Sequence, residues 1–462
     1  MEIPLVILIL FIFVLGMLLI TLLGRDLKES VFTVTIVLLA VALFSTMQVY
    51  HLVLVESPKR IYVVLGLINY IVTFLSAEIF YKDPVKDFVG DEISFKKKKK
   101  VRFCVSVYKE EGFIGRCIQS IVDSAEFAKN IAEVEIFVVN DASPDDTWEK
   151  LQKFSHLPDV HLINLQKNVG KKGGLAAAMT GGEKWYEIYE WLISIFGKLK
   201  PIDIPLIMYH LREQGFQFSQ VDYFLHTDSD SVVSQKFIKY MIYGFESDKN
   251  LGAISGHCDV WIDESPSFVT KMQIAWYYTQ FRIRKAAESV YGAVFCVSGP
   301  GAGFRSEAIL HTLYDWVFDT DWTGKVYRGA TDRKLTLLVL KGNVVIDNKV
   351  FKNRWRIKYS ALAQVRTVVP DTFEGLRSQW TRWKQNFFHV LGEVVTFAWK
   401  VNPLAAFLVY SHLIITIVGP FLVAYHLILA FVGGIWASLL YLLGILLVGS
   451  LMSMGYLVNN PT

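Results

Sequence analysis

Cysteine is scarce in this chain: four residues among 462, Cys104, Cys117, Cys258 and Cys296. None stands in C-x-x-C spacing, which argues against a zinc site and against a disulfide framework. Neither sign of charge dominates, since 47 Lys and Arg against 43 Asp and Glu leave a net charge of +4. That balance says little about partners, and no nucleic-acid partner is expected. No internal repeat stands out, and no low-complexity stretch beyond Lys96-Lys97-Lys98-Lys99-Lys100. The opening apolar run has no basic segment before it and no small-residue cleavage site after it. It reads as a retained anchor rather than a signal peptide.

What the chain has in plenty is apolar residue, 53% of the total, with a mean hydropathy of +0.36. Residues 4–23, 31–55, 61–80, 403–431 and 433–457 each reach the length that a bilayer demands. Gly419-Pro420 falls inside the fourth of these, where a kink or a re-entrant break is an option. The lysine run follows the third segment and opens the polar middle of the chain, which places that middle in the cytosol. The run serves either as a solvated linker or as a contact for anionic headgroups. With three N-terminal spans the N-terminus lies outside, and with one of them interfacial it lies inside. The four thiols fall in the cytosolic part and are expected free.

Residues 101–370 alternate strand and helix. Val101–Tyr108 and Val134–Asp141 are apolar runs ending in polar loops, and 160–165 is a third. The spacing predicts helices over 112–130 and 143–155, the latter with Ser143 as N-cap and Pro144 in its first position. Such alternation argues for a parallel α/β sheet, whose ligands gather at the carboxyl ends of the strands. Tyr108, Asp141 and Asp230 all fall just past a strand end. Residues 184–220 are aromatic-rich and read as a helical insertion, either a cap on the core or a contact with membrane or partner. Residues 371–400 space Phe373, Leu376, Trp380, Trp383, Phe387, Phe388 and Leu391 near-helically. With Trp and Phe on one face and Arg or Lys on the other, they suit a helix lying in the membrane interface.

Four motifs stand in chain order, Val139-Asn140-Asp141, Asp228-Ser229-Asp230, Thr331-Asp332-Arg333 and Gln379-Trp380-Thr381-Arg382-Trp383, with further candidate residues around them. Asp228-Ser229-Asp230 ends a strand-like run and can hold a divalent ion, which would bridge two phosphates. Asp141, in Val139-Asn140-Asp141, can accept from the imide N–H of a uracil, or simply form a turn. Tyr108 can stack on a base or close its strand. Lys171-Lys172-Gly173-Gly174 offers charge and flexible backbone to a diphosphate, or is an exposed basic turn. Asp332, in Thr331-Asp332-Arg333, is either a general base for a sugar hydroxyl or a helix cap. Gln379, Arg382 and Trp383 form Q-x-x-R-W: Arg for a diphosphate and Trp for a sugar ring, or an aromatic with a snorkelling Arg at an interface. Ser298–Arg305 is glycine-rich and allows close approach to a ligand, or is an ordinary turn.

Together these residues resemble the processive family-2 glycosyltransferases: the cellulose, chitin and hyaluronan synthases and the rhizobial chitin-oligosaccharide synthase. The likeness to hyaluronan synthases rests on His226–Ser231, Arg284–Gly292, Cys296–Pro300, Thr331–Thr336 and Gln379-x-x-Arg382-Trp383. The resemblance implies an α/β fold, a GT-A domain with a mixed, mostly parallel sheet. That domain is inserted between transmembrane helices and carries amphipathic interfacial helices. It divides the chain into 1–95 (transmembrane helices and basic linker), 96–370 (cytosolic catalytic domain, with the 184–220 insertion), 371–400 (interfacial helix) and 401–462 (transmembrane helices).

It further implies that Tyr108, Glu110, Asp141, Lys172, Asp228, Gln379, Arg382 and Trp383 bind UDP. Asp228 and Asp230 would hold Mg²⁺ or Mn²⁺, Asp332 would be the base, and Cys296, Ser298, Gly299 and Trp383 would line the acceptor pocket. The implied partners are UDP-sugar donors, a growing polysaccharide and the lipid bilayer of the plasma membrane. Two departures bear on the acceptor pocket. Thr331 stands where hyaluronan synthases carry a second acidic residue, and Gly301-Ala302-Gly303 replaces a bulkier run.

The reading that leads is a membrane synthase that polymerises UDP-GlcNAc with UDP-GlcA and secretes the product through its own helices. Its rivals are a chitin-type synthase using UDP-GlcNAc alone, a ceramide-glucosyltransferase-like enzyme that transfers one sugar to a lipid, and a non-enzymatic transporter or receptor.

Overall fold

The computed structural model describes residues 65, 68–88, 90, 95–182, 221–309, 312–346, 349–352 and 355–435, leaving aside positions 71 and 433. The apolar segments 4–23 and 31–55, the insertion 184–220 and nearly all of 433–457 lie outside the described residues.

One eight-stranded sheet organises the middle of the chain, in the order β3-β2-β1-β4-β7-β6-β10-β5. Its members are β1 (Lys99–Val107), β2 (Ala132–Asn140), β3 (Val160–Asn164), β4 (Tyr223–His226), β5 (Ser231–Val233), β6 (Leu251–Val260), β7 (Ala302–Arg305) and β10 (Arg356–Thr367). The pairs β1–β2, β2–β3, β1–β4 and β6–β10 are parallel. Only β7 and β5 run against their neighbours. The mixed, mostly parallel sheet is therefore as expected. Two short strands, β8 (Asn343–Ile346) and β9 (Lys349–Lys352), form a separate hairpin.

Strand β1 shows why the sheet is covered on both faces. Val101, Phe103, Val105 and Val107 join the core with Ile114, Ile118 and Ile121 of helix α1 (Ile114–Ala128). Phe237, Met241 and Phe245 of helix α4 (Phe237–Ser247) complete that side. On the opposite face, Gly174 of helix α3 (Gly170–Thr180) sits against Ser106, and a Cβ there would lie 2.3 Å from the hydroxyl oxygen. Parallel strands buried on both faces read as continuous apolar runs, which is what the sequence displays.

Two expectations need correction here. The helix predicted over 143–155 is only Thr147–Gln152 (α2). Ser143 does not cap it: its hydroxyl accepts the Lys109 N–H at 3.0 Å, and Asp145 accepts from the Thr147 hydroxyl at 2.7 Å. The turn braces the neighbouring strand end before the helix begins. Residues 81–88, placed with the N-terminal helices and linker of 1–95, pack instead into the core of the sheet. Val85 is fully buried, and Phe88 packs on Tyr243 with ring centroids 5.9 Å apart. Lys99 and Lys100 likewise lie within β1 rather than in a linker.

Asp83 explains the irregularity of β10, whose register against β6 shifts between Ser360 and Gln364. Its carboxylate accepts from the Ala361 N–H at 2.6 Å, the Leu362 N–H at 3.2 Å and the Ser360 hydroxyl at 3.0 Å. Asp83→Ala removes the carboxylate from those part-buried donors, leaving the Ala361 N–H only the Tyr81 hydroxyl at 3.2 Å, and is expected to destabilise the domain by about 3 kcal/mol. Thermal unfolding followed by tryptophan fluorescence measures it, and an unchanged midpoint would refute the capping role.

After the sheet come helix α10 (Phe373–Val401) and helix α11 (Pro403–Val432). Thr372 caps α10, accepting the Gly375 N–H at 3.2 Å. Aromatic and charged residues of α10 are not parted onto opposite faces, contrary to the pattern reading. Trp383 packs on the cluster of Cys258, Val260, Tyr277 and Val369, and Trp380 meets the Trp276 ring of that cluster with centroids 6.1 Å apart, whereas Phe373, Phe388 and Trp399 are exposed, the first two one turn from Arg377 and Lys384. Helix α11 runs unbroken through Pro420. Its Pro403–Tyr425 part is, among the described residues, the one helix long and apolar enough to cross a membrane.

Candidate active site

The chain builds β1, β2 and β3 outward on one side, then returns to place β4 on the other side of β1. That reversal opens a crevice at the carboxyl ends of β1 and β4, the place where open α/β sheets bind ligands. Tyr108 and Glu110 follow β1, Asp141 follows β2, and Asp228 and Asp230 follow β4. The non-glycine residues with positive φ among those described are Lys109 (59°), Ala142 (56°) and Ala330 (53°). Each adjoins a candidate residue or the helix that carries one. Strained backbone of this kind gathers at functional sites.

Asp141 is buried and doubly engaged. Its carboxylate accepts the Val169 N–H at 2.7 Å and the Gly170 N–H at 2.9 Å, at the start of α3. Burial raises its pKa while the two amides and Arg328 pull it down. It therefore fixes the start of α3 beside the strand end. The next residue, Lys171, bonds Asp228 Oδ1. Burial opposes the charge on Lys171, but Asp228, Asp332 and Asp230 together raise its pKa above the ordinary value. Lys172 points elsewhere: its amine is buried on Asp319 and the Tyr327 carbonyl. The lysine on the D-x-D is thus Lys171, because successive helical residues project about 100° apart.

Glu110, Asp228 and Asp230 concentrate negative charge in the crevice. Burial, then repulsion from Asp230, Asp145 and Asp228, pushes Glu110 up to about 7. Burial and Asp228 push Asp230 up to about 6, although the Ser231 and Thr367 hydroxyls donate to its Oδ1 at 3.0 and 3.1 Å. Such hard, mutually repelling oxygens suit Mg²⁺ or Mn²⁺. Among the described residues no three His, Cys, Asp or Glu side chains gather closely enough to cage an ion. An ion held by Asp228 and Asp230 would therefore complete its shell with water and ligand oxygens. His226 stays neutral, lowered to about 4 by burial and by Lys171.

Asp332 lies in the first turn of helix α9 (Thr331–Lys341), yet it does not cap that helix. Its Oδ2 accepts the Gly299 N–H at 2.9 Å, while Oδ1 is buried with no partner. Gly299 also touches the D-x-D, since a Cβ there would lie 2.5 Å from Asp228 Oδ1 and 2.9 Å from Lys171 Nζ. One glycine thus brings Asp332, Asp228 and Lys171 together. Ser298 accepts from the buried amine of Lys285, which also donates to the Ser255 hydroxyl at 2.8 Å. Lys285 stands in helix α6 (Lys285–Val290), which in chain order lies between α5 (Phe268–Tyr277) and the short α7 (Ser306–Ile309) and α8 (Leu313–Val317), and Cys296 opens the same loop as Ser298.

The Q-x-x-R-W residues border this crevice from α10. Trp383 stacks on Trp276 with centroids 5.5 Å apart, so one ring face is already covered. Gln379 Oε1 is buried with no partner. Tyr277 lies within reach of the charges of Asp230, Asp228 and Arg382. Tyr108 is 44% exposed at its strand end, free to meet a planar ligand. Sequence reasoning offered the Lys171–Lys172 pair to a diphosphate but chose Lys172, where the structure points to Lys171. It assigned no role to Lys285 or Asp319, which nothing in local spacing flags.

Against known proteins, a family model described as chitin synthase matches residues 196–458. The chain belongs to the chitin synthase family. A model for glycosyl transferase family 2 matches residues 103–180. The chain is 24% identical to the poly-β-1,6-N-acetyl-D-glucosamine synthase of Staphylococcus aureus (strain MSSA476) over 318 residues, 69% of this chain and 62% of that one. It is 24% identical to hyaluronan synthase 2 of Rattus norvegicus over 375 residues, 78% of this chain and 63% of that one. The match thus spans less than two thirds of either relative. A mannosyltransferase from Pyrobaculum calidifontis, solved with GDP-Man and Mn²⁺, shares the fold. Its TM-score is 0.52 at 16% identity, covering 84% of this chain and 91% of that one. A chitin synthase family chain with this sheet has a GT-A-like catalytic domain.

Proposed function

We propose that the chain is a membrane-embedded, processive and inverting glycosyltransferase that polymerises UDP-sugars. The observation that carries this reading is Asp332. One of its carboxylate oxygens is fixed by Gly299, and the other is buried, unpartnered and adjacent to the Asp228–Lys171 pair. A carboxylate held in place by one oxygen, with the other left unpaired, is what a general base for an acceptor hydroxyl requires. In this reading Asp332 Oδ1 takes the hydroxyl proton, the acceptor oxygen bonds to the anomeric carbon, and the bond from that carbon to the phosphate oxygen breaks. Attack from the side opposite the leaving diphosphate inverts the anomeric centre.

Lys171 and Arg382 would balance the charge of the leaving diphosphate, while Tyr108 stacks on its base. Asp141 holds the start of α3, so that Lys171 is aimed at the diphosphate. Gln379, Trp383, Cys296 and Ser298 would face the sugars. A divalent ion on Asp228 and Asp230 would neutralise charge on the leaving group.

UDP-GlcNAc is the donor we assign, with UDP-GlcA as the alternating partner in a hyaluronan-like product and a chitin-like polymer as the second reading. The chitin synthase family match supports the second, whereas the Gly301–Gly303 run packs on Val365, Phe237, Leu225 and Phe245 inside the sheet and does not shape an acceptor pocket, contrary to the expectation from the sequence. The test is UDP release by purified full-length protein with each donor alone and with both, followed by hyaluronidase and chitinase digestion. A hyaluronidase-sensitive polymer needing both donors supports the first reading, and a chitinase-sensitive product from UDP-GlcNAc alone replaces it. A single lipid-linked sugar, or no release, overturns the polymerase. In the same assay, chelation with EDTA is expected to lower release by about 100-fold, with recovery on adding Mn²⁺ or Mg²⁺. Full activity in EDTA would remove the metal from the scheme.

A further inference from the structure

Only one of the two adjacent lysines serves the D-x-D; the other leads to a buried carboxylate. Lys172 Nζ lies 3.1 Å from Asp319 Oδ2, and its side chain is 3% exposed against 4% for Asp319. The same carboxylate meets Lys334 Nζ on Oδ1 at 3.0 Å and His389 Nε2 on Oδ2 at 2.8 Å. These partners come from three helices: Lys172 from α3, Lys334 from α9 and His389 from α10. Around them, Lys334 and Lys341 both pair with Glu393 of α10. The Tyr327 ring stacks on His389 with centroids 3.8 Å apart, and its hydroxyl donates to Asn386 Oδ1 at 3.0 Å.

Burying so many charges is a poor way to gain stability, because desolvation opposes the attraction. What the three helices share is where else they lead. Helix α3 carries Lys171 at its start, α9 carries Asp332 two residues before Lys334, and α10 carries Gln379 and Arg382. His389 lies two turns on from Arg382, on the same helix face. We infer that Asp319 is a positioning residue: its one carboxylate sets the relative placement of the three helices that bring Lys171, Asp332 and the Q-x-x-R-W motif to the crevice. The inference rests on the glycosyl-transfer reading of that crevice. Asp319 acts through Lys172, Lys334 and His389, so its loss alters alignment more than donor affinity.

The experiment measures donor kcat and KM, with thermal unfolding alongside, on full-length protein in detergent. Asp319→Asn, Asp319→Glu and Asp332→Asn are compared, with Asp83→Ala as the variant that perturbs stability far from the crevice. Asp319→Asn is expected to lower kcat about 30-fold, since small misplacements of reacting groups are that costly. Its KM stays within about threefold, the signature of lost transition-state alignment. Asp319→Glu recovers part of the rate.

A parental kcat in Asp319→Asn overturns the inference, as does a loss that merely follows the folded fraction, as in Asp83→Ala. If Asp319→Asn fails to fold, His389→Gln removes one contact and leaves both lysines paired. A fall in its kcat of about fivefold at constant KM supports the inference, and an unchanged kcat overturns it. Full activity in Asp332→Asn would sink the reading of the crevice itself and this inference with it. An inactive Asp332→Asn beside a parental Asp319→Asn sinks the inference alone.

Discussion

Asp332→Asn folds as the parent does, retains donor binding, and lowers transfer by about three orders of magnitude, the scale of a lost general base. The environment of Asp332 is why the effect is large. Asparagine keeps the shape and offers an amide oxygen to the Gly299 N–H, which now reaches Asp332 Oδ2 at 2.9 Å. The first turn of α9 stays pinned, because the Thr336 hydroxyl donates to the Asp332 carbonyl at 2.6 Å and accepts the Val297 N–H at 2.8 Å. What disappears is the capacity to take a proton at Oδ1, the oxygen with no partner. The measurement is product formation at saturating donor and acceptor, beside a binding isotherm for UDP. A rate within about tenfold of the parent would show that another group is the base.

Gly299→Ala is expected to be nearly as damaging although it adds one methyl group. The backbone there tolerates alanine, since Gly299 is not among the positive-φ residues. The space does not: the new Cβ would lie 2.5 and 3.0 Å from the two carboxylate oxygens of Asp228 and 2.9 Å from Lys171 Nζ. Either the carboxylate or the loop must move, and the loop carries the N–H that holds Asp332. A drop in kcat/KM of about 100-fold follows from such displacement. The change lies in a polar crevice, so thermal stability shifts by about 1 kcal/mol or less. A variant with parental kinetics would show that the loop yields freely and that Gly299 does not join the two aspartates.

The parts of this molecule that were legible in the sequence are those written in local pattern. Apolar runs ending in Asn140-Asp141 and His226-Thr227-Asp228 announce strands with polar ends, and the structure puts both at the carboxyl ends of parallel strands in one mixed sheet. Asp332 at a helix start was also legible, but whether it capped that helix depended on Gly299, 33 residues away. The choice between Lys171 and Lys172 depends on helix phase, which a two-residue motif does not contain. Asp319 was invisible because its three partners lie 147, 15 and 70 residues from it, at Lys172, Lys334 and His389. The helix expected from Ser143-Pro144 started late because tertiary hydrogen bonds to Lys109 and within Asp145–Thr147 claimed the turn. The apolar-versus-charged division of α10 failed at Arg377 and Lys384, which stand one turn from exposed Phe373 and Phe388, while Trp276 packs on both Trp380 and Trp383, a surface that no periodicity records.

The Asp83 clamp on β10 has a consequence for how the chain is made. Asp83 and Ala361 are 278 residues apart, so the clamp closes only after nearly the whole catalytic sequence has left the ribosome. Strand β5, synthesised more than a hundred residues earlier, has only β10 as its ladder partner and waits with it. Strands β1, β2 and β3 can pair from neighbouring sequence, whereas the far side of the sheet depends on its last strand. Closing such distant contacts is the slow part of folding. During synthesis the nascent domain is therefore half-built, with one sheet edge open, until residue 367 emerges.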